Sequence, residues 1–392
     1  MNEMSKLIDI TGKALSGEWG TDDELGTGIP VLRTTNFTND GVVNYKDVVT
    51  RTITKKNIDD KFLRNGDIII EKSGGSDKQP VGRVIYFEGP ENTYLFNNFT
   101  GLLRVKKIDK WFPKYVFYAL FSNYQKGGTR RFENKTTGLH NLKTDIYISS
   151  FEIKDIDILT QEKICKQLDS VRNIIQLRKQ QLQQLDELVK ARFVELFGDP
   201  VSNSKNLPEL TLPELGEFGR GVSKHRPRND PQLLGGEYPL IQTGEIANSN
   251  LYITAYENTY SELGLKQSKL WQKDTLCITI AANIAKTAIL TFDACFPDSV
   301  VGFKSSAKTN NIFIHYWFSF FQAILEAQAP ESAQKNINLK TLSELKAIVP
   351  PIELQNEFAN FVKEVDKSKF VVQKALDEAQ TLFDSLMQEY FG

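Results

Sequence analysis

The chain has 392 residues, 40% hydrophobic and 25% charged, with a formal net charge of −1. That length allows two or more domains, each with its own core. The composition is that of an ordinary globular protein, and the near-zero charge excludes a global basic field, so any nucleic-acid contact must come from local patches.

The N-terminus, MNEMSKLIDI, lacks a basic region followed by an apolar core, so no signal peptide is expected there. Strand-like runs follow in the first half: IPVLR, GDIIIEK, GRVIYF and TGLLRV. A helix is expected near WFPKYVFYALFSNY. The segment 126–143, KGGTRRFENKTTGLHNLK, carries Lys126, Arg130, Arg131, Lys135 and Lys143 against Glu133 alone, in a loop-like context of Gly, Thr and Asn. Clustered cations on a flexible loop suit phosphate contact and groove entry, although a solvated charged loop would look the same. Residues 160–198 contain no Pro and no internal Gly, and Gly198 and Pro200 read as a helix stop.

FGDPVSNSKNLPELTLPELG reads as a linker, rich in Pro and Asn. The second half repeats the strand grammar in YPLIQT, DTLCITI and TAILTF, then a helix near NIFIHYWFSFFQAILEA. Its basic segment, GRGVSKHRPR at 219–228, carries Arg220, Lys224, His225, Arg226 and Arg228 with no acid. The apolar cluster from Tyr316 to Phe321 is too short to span a membrane. Cys165, Cys277 and Cys295 form no CxxC pair, which fits free thiols in a reducing compartment, the cytoplasm.

The halves align in order. IPVLRTTNF matches YPLIQTGEI at a shift of 209, Asp67 matches Asp274 at 207, VGRVI matches IAKTA at 203, and FNNFTGLLRV matches FPDSVVGFKS at 200. The word NLKT occurs at 141–144 and 338–341, a shift of 197, and TQEKI matches LQNEF at 194. A shift that falls in small steps is what loop insertions in a duplicated unit produce. NLKT therefore reads as scaffold returning from each divergent loop. Lys143 and Lys340 are either phosphate contacts or exposed strand-edge lysines.

The final block needs no gaps: 160–198 aligns with 354–392. Steps of four and three give Ile164, Leu168, Val171, Ile175, Leu182, Leu185, Val189 and Leu196 in one copy, interrupted by Arg178 and Arg192. They give Phe358, Val362, Val365, Val372, Leu376, Phe383 and Leu386 in the other, with Lys369, Ala379 and Tyr390 at the remaining positions. That is a heptad seam, expected to pair the two helices as an antiparallel coiled coil. About 38 residues at ~1.5 Å rise make a rod of roughly 57 Å. The expected boundaries are a globular unit at 1–153, a long helix at 154–198, linker and second unit at 199–349, and a second long helix from 350. The fold class is α/β or α+β, a tandem repeat with twisted mixed sheets.

Catalytic motifs are missing from the sequence. There is no GxxxxGK[ST], GTGIPV lacks the third glycine of a dinucleotide loop, and no NPPY-type tetrapeptide occurs. His140, His225 and His315 lack ligand spacing, so no metal site is expected. Asp67, Glu71 and Lys72 hint at a nuclease, but the matching QKDTLCITI has no acid or lysine in the corresponding places.

PPIELQ (350–355), the endings ELFGDP and QEYFG, the GDIII and VGRV elements and IQTGEI carry a family resemblance. Together with two variable units and two alike helices, they make the chain resemble the specificity (S, HsdS) subunit of a type I restriction–modification system. The resemblance implies two target recognition domains, one per half of a bipartite asymmetric site in double-stranded DNA, with the helical rod setting the spacer. It implies two methyltransferase subunits that bring S-adenosylmethionine and the catalytic residues. Where the system cleaves, two restriction subunits would add ATP and Mg chemistry. No membrane is involved. The candidate DNA-contacting set is the two basic segments with His140, plus Arg33, Lys72, Lys78, Arg83, Gln242, Lys286 and Lys335. Two departures stand out: IDILTQEK precedes the first helix instead of PPxExQ, and QKD replaces a GD step. A self-contained DNA-binding regulator would share the architecture, and co-purification with a methyltransferase separates the two readings.

Overall fold

The computed structural model describes residues 3–136, 139–281, 284–328 and 337–392. It divides into two compact units, 1–178 with 374–392, and 179–373.

Unit 1 is built on an antiparallel sheet ordered Leu15–Ser16, Thr100–Leu103, Ile68–Glu71, Val84–Tyr86. Its central strand is IIIE, buried on both faces, which is why it reads as a continuous apolar run and not an alternation. A second sheet carries Thr21–Asp22, Val49–Thr52, Ile29–Leu32 and Leu95–Phe96, the last pair parallel. The helix Pro113–Gln125 begins with proline at its first position and buries an aromatic face of Tyr115, Phe117, Tyr118 and Phe121.

Unit 2 repeats this plan. Its larger sheet is ordered Gly216–Arg220, Val300–Ser305, Leu276–Thr279, Thr287–Leu290, Tyr252–Ile253. Its second sheet again holds one parallel pair, Leu240 beside Cys295, where unit 1 has Val31 beside Leu95. The helix Asn311–Gln328 takes the place of Pro113–Gln125.

The register corrects the sequence alignment at two points. Ile68 pairs with Leu103, and Leu276 pairs with Phe303, so Ile68 corresponds to Leu276, a shift of 208. The counterpart of Asp67 is therefore Thr275, not Asp274. Both backbone carbonyls accept the same bond, from Phe87 N–H and from Leu290 N–H at 2.8 and 2.9 Å. The two NLKT words are not equivalent either. Asn141 lies in the strand Leu139–Leu142 and Lys143 caps the helix Thr144–Ser150, whereas Asn338 is itself the cap of Leu339–Ser343. The strands that follow, Ile153 opposite Ser5 and Ala347 opposite Leu210, fix the shift at 194 by this point. The expected linker also ends early. Glu209–Thr211 pairs with Lys346–Ile348, and Leu212–Leu215 and Gly216–Arg220 are integral to unit 2.

The two long helices run Ile158–Phe197 and Ile352–Phe391. In unit 1, Ile164, Leu168, Val171 and Ile175 share an apolar cluster with Ala379, Phe383 and Met387, and Tyr390 Oη donates to Gln167 at 2.9 Å. In unit 2, Val189, Phe193 and Phe197 cluster with Phe358, Val362 and Val365. In each unit the start of one helix meets the end of the other, so the pair is antiparallel. The heptad register slips at both C-terminal ends: Phe193, Phe197 and Met387 are buried while Leu196 and Leu386 are only partly covered. Phe193 stacks on Phe313 with ring centroids 5.4 Å apart, so packing on the globular unit overrides the 3.5 period there.

Each long helix is tied to its unit by a fully buried glutamine. Gln161 accepts from Phe112 N–H at 2.9 Å and donates to the carbonyls of Lys110 and Ile156 at 3.0 and 2.8 Å. Gln355 accepts from Asn310 N–H at 3.2 Å and Thr309 Oγ1 at 2.8 Å, and donates to the carbonyls of Lys308 and Pro350 at 3.2 and 2.9 Å. The departing sequence IDILTQEK solves the same helix start differently. Asp157 accepts from Thr160 N–H at 2.9 Å and Thr160 Oγ1 at 2.7 Å, a side-chain cap in place of the rigid Pro350-Pro351. At the far end, Gly198 adopts φ +77° and Lys205 Nζ caps the carbonyls of Glu195 and Leu196 at 2.7 and 3.0 Å.

Candidate nucleic-acid interface

In unit 1, helix Pro113–Gln125 ends in a turn that leaves Lys126, Arg130 and Arg131 exposed. Arg130 Nη1 donates to Asp77 O at 3.4 Å, bringing this turn beside the loop that carries exposed Lys78. Arg131 lies over the Phe132 ring at 4.8 Å, and Lys126 Nζ reaches Phe391 O at 3.3 Å. Lys143 is exposed at the helix cap.

Two of the expected contacts are internal. His140 is 5% exposed, with Nδ1 at 2.9 Å from Glu133 Oε2 and Nε2 at 3.6 Å from Asp77. Glu133 also accepts from Val81 N–H at 3.0 Å. His140 and Glu133 thus clamp the 72–80 loop to the strand pair Glu133–Thr136 and Leu139–Leu142. Arg83 is held by Glu71 at 3.0 Å and by the carbonyls of Phe37 and Thr34 at 3.1 and 3.2 Å. A largely covered guanidinium with its donors engaged is a structural tie, as is the buried His140.

Lys72 is half-buried against Ser16 Oγ at 3.2 Å, and that burial pulls its pKa below the usual lysine value. Arg33 is also half-buried and donates to Asp47 O at 2.9 Å. The side chain of Lys135 and all of Lys335 lie outside the described residues.

In unit 2, a cleft of about 860 Å³ opens beside the basic loop. Arg220, Arg228, Asn229, Gln242, Thr243, Asn258, Tyr260, Asp298, Ser299, Asn338 and Thr341 contribute to its wall, with Ile280, Leu325 and Ile337 as apolar floor. Three of the expected contacts, Arg220, Arg228 and Gln242, therefore meet in one place. Lys224 and His225 are exposed, and their backbone N–H groups both donate to Gln267 Oε1, at 2.7 and 3.0 Å. His225 Nε2 lies 3.1 Å from Asp230. Arg226 Nη1 folds back on the carbonyls of Ser223 and His225 at 2.7 and 2.8 Å. Lys286 is half-exposed and is not part of the cleft wall.

Gln242 and Arg33 occupy the same structural position. The backbone N–H of Gln242 donates to Glu245 at 2.7 Å, and that of Arg33 to Asn36 at 2.9 Å, each opening a short helix. One scaffold position thus presents a different side chain in each unit. A model of the type I restriction modification DNA specificity domain matches residues 2–187 and again 209–379. The chain belongs to this family.

As a specificity subunit it is the non-catalytic, DNA-recognising component of a type I restriction–modification complex, and its partners are DNA and the other subunits of that complex. It is similar to the "Putative type I restriction enzyme MjaX specificity subunit" of Methanocaldococcus jannaschii, 22% identical, covering 97% of this chain and 92% of that one. Its fold is similar to the S subunit of M. genitalium, with a TM-score of 0.60 at 16% identity over 100% and 96% of the two chains. It is also similar to a chain solved in work on complex assembly and conformational transition of the type I R-M system. That match has a TM-score of 0.58 at 14% identity over 99% and 97% of the chains.

Several residues of the cleft carry no signal in the sequence. Asp298, Asn258, Tyr260, Asn338 and Thr341 carry no motif, and only the fold brings them to the cleft. Glu133 stood out as the single acid of a basic segment, and that isolation was the available signal of an internal role. Among the described residues no helix is long and apolar enough to cross a membrane.

Proposed function

We propose that each compact unit reads one half of a bipartite DNA site, through surfaces that differ while the scaffold repeats. The observation that carries this is the shared position of Arg33 and Gln242: equivalent backbone, different readout chemistry. Arg33, Arg130, Arg131, Lys126, Lys78 and Lys143 serve unit 1, and Arg220, Lys224, Arg226, Arg228 and Gln242 serve unit 2. Lysine and arginine at the rim take phosphates and fix position, while arginine and glutamine aimed at base edges specify sequence.

The long helix pair sets the spacer between half-sites, since two short recognition events joined by a stiff element act as one bipartite event. Two methyltransferase subunits dock on the helices. Their supporting surface in unit 1 is exposed Ile174, Leu177 and Leu382, and in unit 2 exposed Leu188, Phe370 and Val371. Such exposed apolar side chains on a helix pair mark partner contact. The methyltransferase subunits carry S-adenosylmethionine. Where present, two restriction subunits bring ATP and Mg. The complex works in the cytoplasm, where its DNA is.

The test is co-purification. The tagged chain, expressed from its own locus, is expected to bring down a methyltransferase of the NPPY class. Recovery of the chain alone, with tight sequence-specific DNA binding by itself, would overturn the subunit reading in favour of a self-contained regulator.

A further inference from the structure

Asp298 is an acid inside the basic patch of unit 2. It sits in the turn between Ala294–Cys295 and Val300–Ser305, on the wall of the cleft. Its carboxylate accepts from Arg228 and lies 3.5 Å from Arg226 Nη2, and its backbone carbonyl accepts from Arg220. One residue therefore holds three of the four cations in the segment 219–228. The arginines stay half-exposed, with Arg226 and Arg228 side chains at 55% and 46%, so they remain available to a ligand.

The scaffold does not demand an acid here. The same turn in unit 1, closed by Thr100 N–H on Asn97 O as Val300 N–H closes on Pro297 O, carries neutral, exposed Asn98. An aspartate at this point weakens attraction to any polyanion, which makes it costly in a surface meant only to bind DNA strongly.

We infer that Asp298 is a specificity-setting positioning residue: it holds Arg226 and Arg228 back from phosphate, so that they are released to DNA only by a half-site whose bases repay the broken ion pairs. The inference rests on the reading of the 219–228 loop as DNA-facing. The chemistry is competitive. A wrong sequence offers an arginine a single phosphate contact, which little exceeds the pairing it leaves. A correct base offers two directed acceptors, which exceed it clearly. Discrimination is gained by penalising the wrong complex.

The test uses the complete complex with its methyltransferase subunits and three duplexes: the mapped modified motif, and the same duplex with one half-site or the other scrambled. Asp298→Asn keeps shape and removes charge. It is expected to reduce the cognate-to-scrambled affinity ratio at one half-site by about fivefold or more, through tighter binding of the scrambled duplex, and to steepen the salt slope by about one. Discrimination at the other half-site is expected to stay unchanged. A ratio within about twofold of wild type overturns the inference. So does weaker cognate binding with scrambled binding unchanged, since the carboxylate would then read a base itself. If Asp298→Asn fails to assemble, Asp298→Glu decides: it keeps the charge, so a fall of about fivefold in its ratio overturns the inference and a ratio within about twofold supports it. Arg226→Gln with Arg228→Gln separates the two levels. If these leave affinity and salt slope unaltered, the loop is not on DNA and the underlying reading fails. If they weaken binding while Asp298→Asn is silent, only the restraint fails.

Discussion

Gln161→Ala tests how each recognition unit is fixed to its helix. The side chain is fully buried and makes three hydrogen bonds, one from Phe112 N–H and two to the carbonyls of Lys110 and Ile156. Alanine leaves those backbone groups without a partner in a dry site, at about 1–3 kcal/mol for each group that water cannot reach. A net loss of ~3 kcal/mol is the expected outcome, near the top of what single substitutions do. With a urea slope of about 2 kcal/mol/M, the unfolding midpoint should fall by roughly 1.5 M. Gln355→Ala in unit 2 is a built-in replicate, because its amide spans the matching loop and helix start. The assay is urea denaturation of the pure chain followed by circular dichroism. Midpoint shifts below about 0.3 M for both variants would refute the reasoning, since unsatisfied buried backbone groups must cost more than that.

Removing one heptad from each long helix shortens the pair by about 10 Å, close to three base pairs, and the spacer of the modified motif should shorten accordingly; an unchanged spacer would count against the ruler role. Arg130→Ala should weaken DNA binding by the assembled complex and reduce the salt slope by about one, as loss of a phosphate contact does, and Arg226→Ala should weaken binding of the cognate duplex. Unaltered affinity and slope would remove those loops from the interface. His315, half-buried in unit 2 with Nδ1 at 2.9 Å from Thr287 Oγ1, is held neutral at pH 7. Burial lowers its pKa to about 4, the positive charge of Lys369 adds to this, and the Thr287 hydrogen bond opposes it. Between that value and the ordinary ~6.5, the unfolded chain binds the extra proton, so stability falls as pH drops through this window, by up to ~3 kcal/mol. Urea midpoints at pH 7 and pH 4.5 measure it, and His315→Gln should flatten the difference.

How much of this could be read from sequence depended on whether a feature was periodic or merely adjacent. The strands and helices announced themselves because apolar runs and helix stops are local. The duplication was legible because many weak matches kept their order. Register was not: Asp67 and Asp274 share a letter, yet the backbone hydrogen-bond pattern makes Thr275 the equivalent of Asp67. NLKT recurred by accident within a few residues of true equivalence, since one copy ends a strand and the other opens a helix. The seam was right along most of each helix and slipped at Phe193, Phe197 and Met387, where packing on the globular unit is added to helix pairing. Arg83 and His140 looked like contacts because charge is visible in sequence, while which nearby acid consumes it, Glu71 or Glu133, is decided by strand pairing and loop packing that the sequence does not display. The Asp298 cluster had the same cause in reverse, an acid some 70 residues from the arginines it holds.

The most direct test of the central claim is to map modified adenines in the DNA of cells that carry this chain with its methyltransferase subunits. The account predicts one bipartite motif with two unrelated half-sites at a fixed spacer, and the loss of one half-site's specificity when one unit is exchanged. A single continuous motif, a palindrome read by identical units, or an unmodified genome with the complex assembled would contradict it.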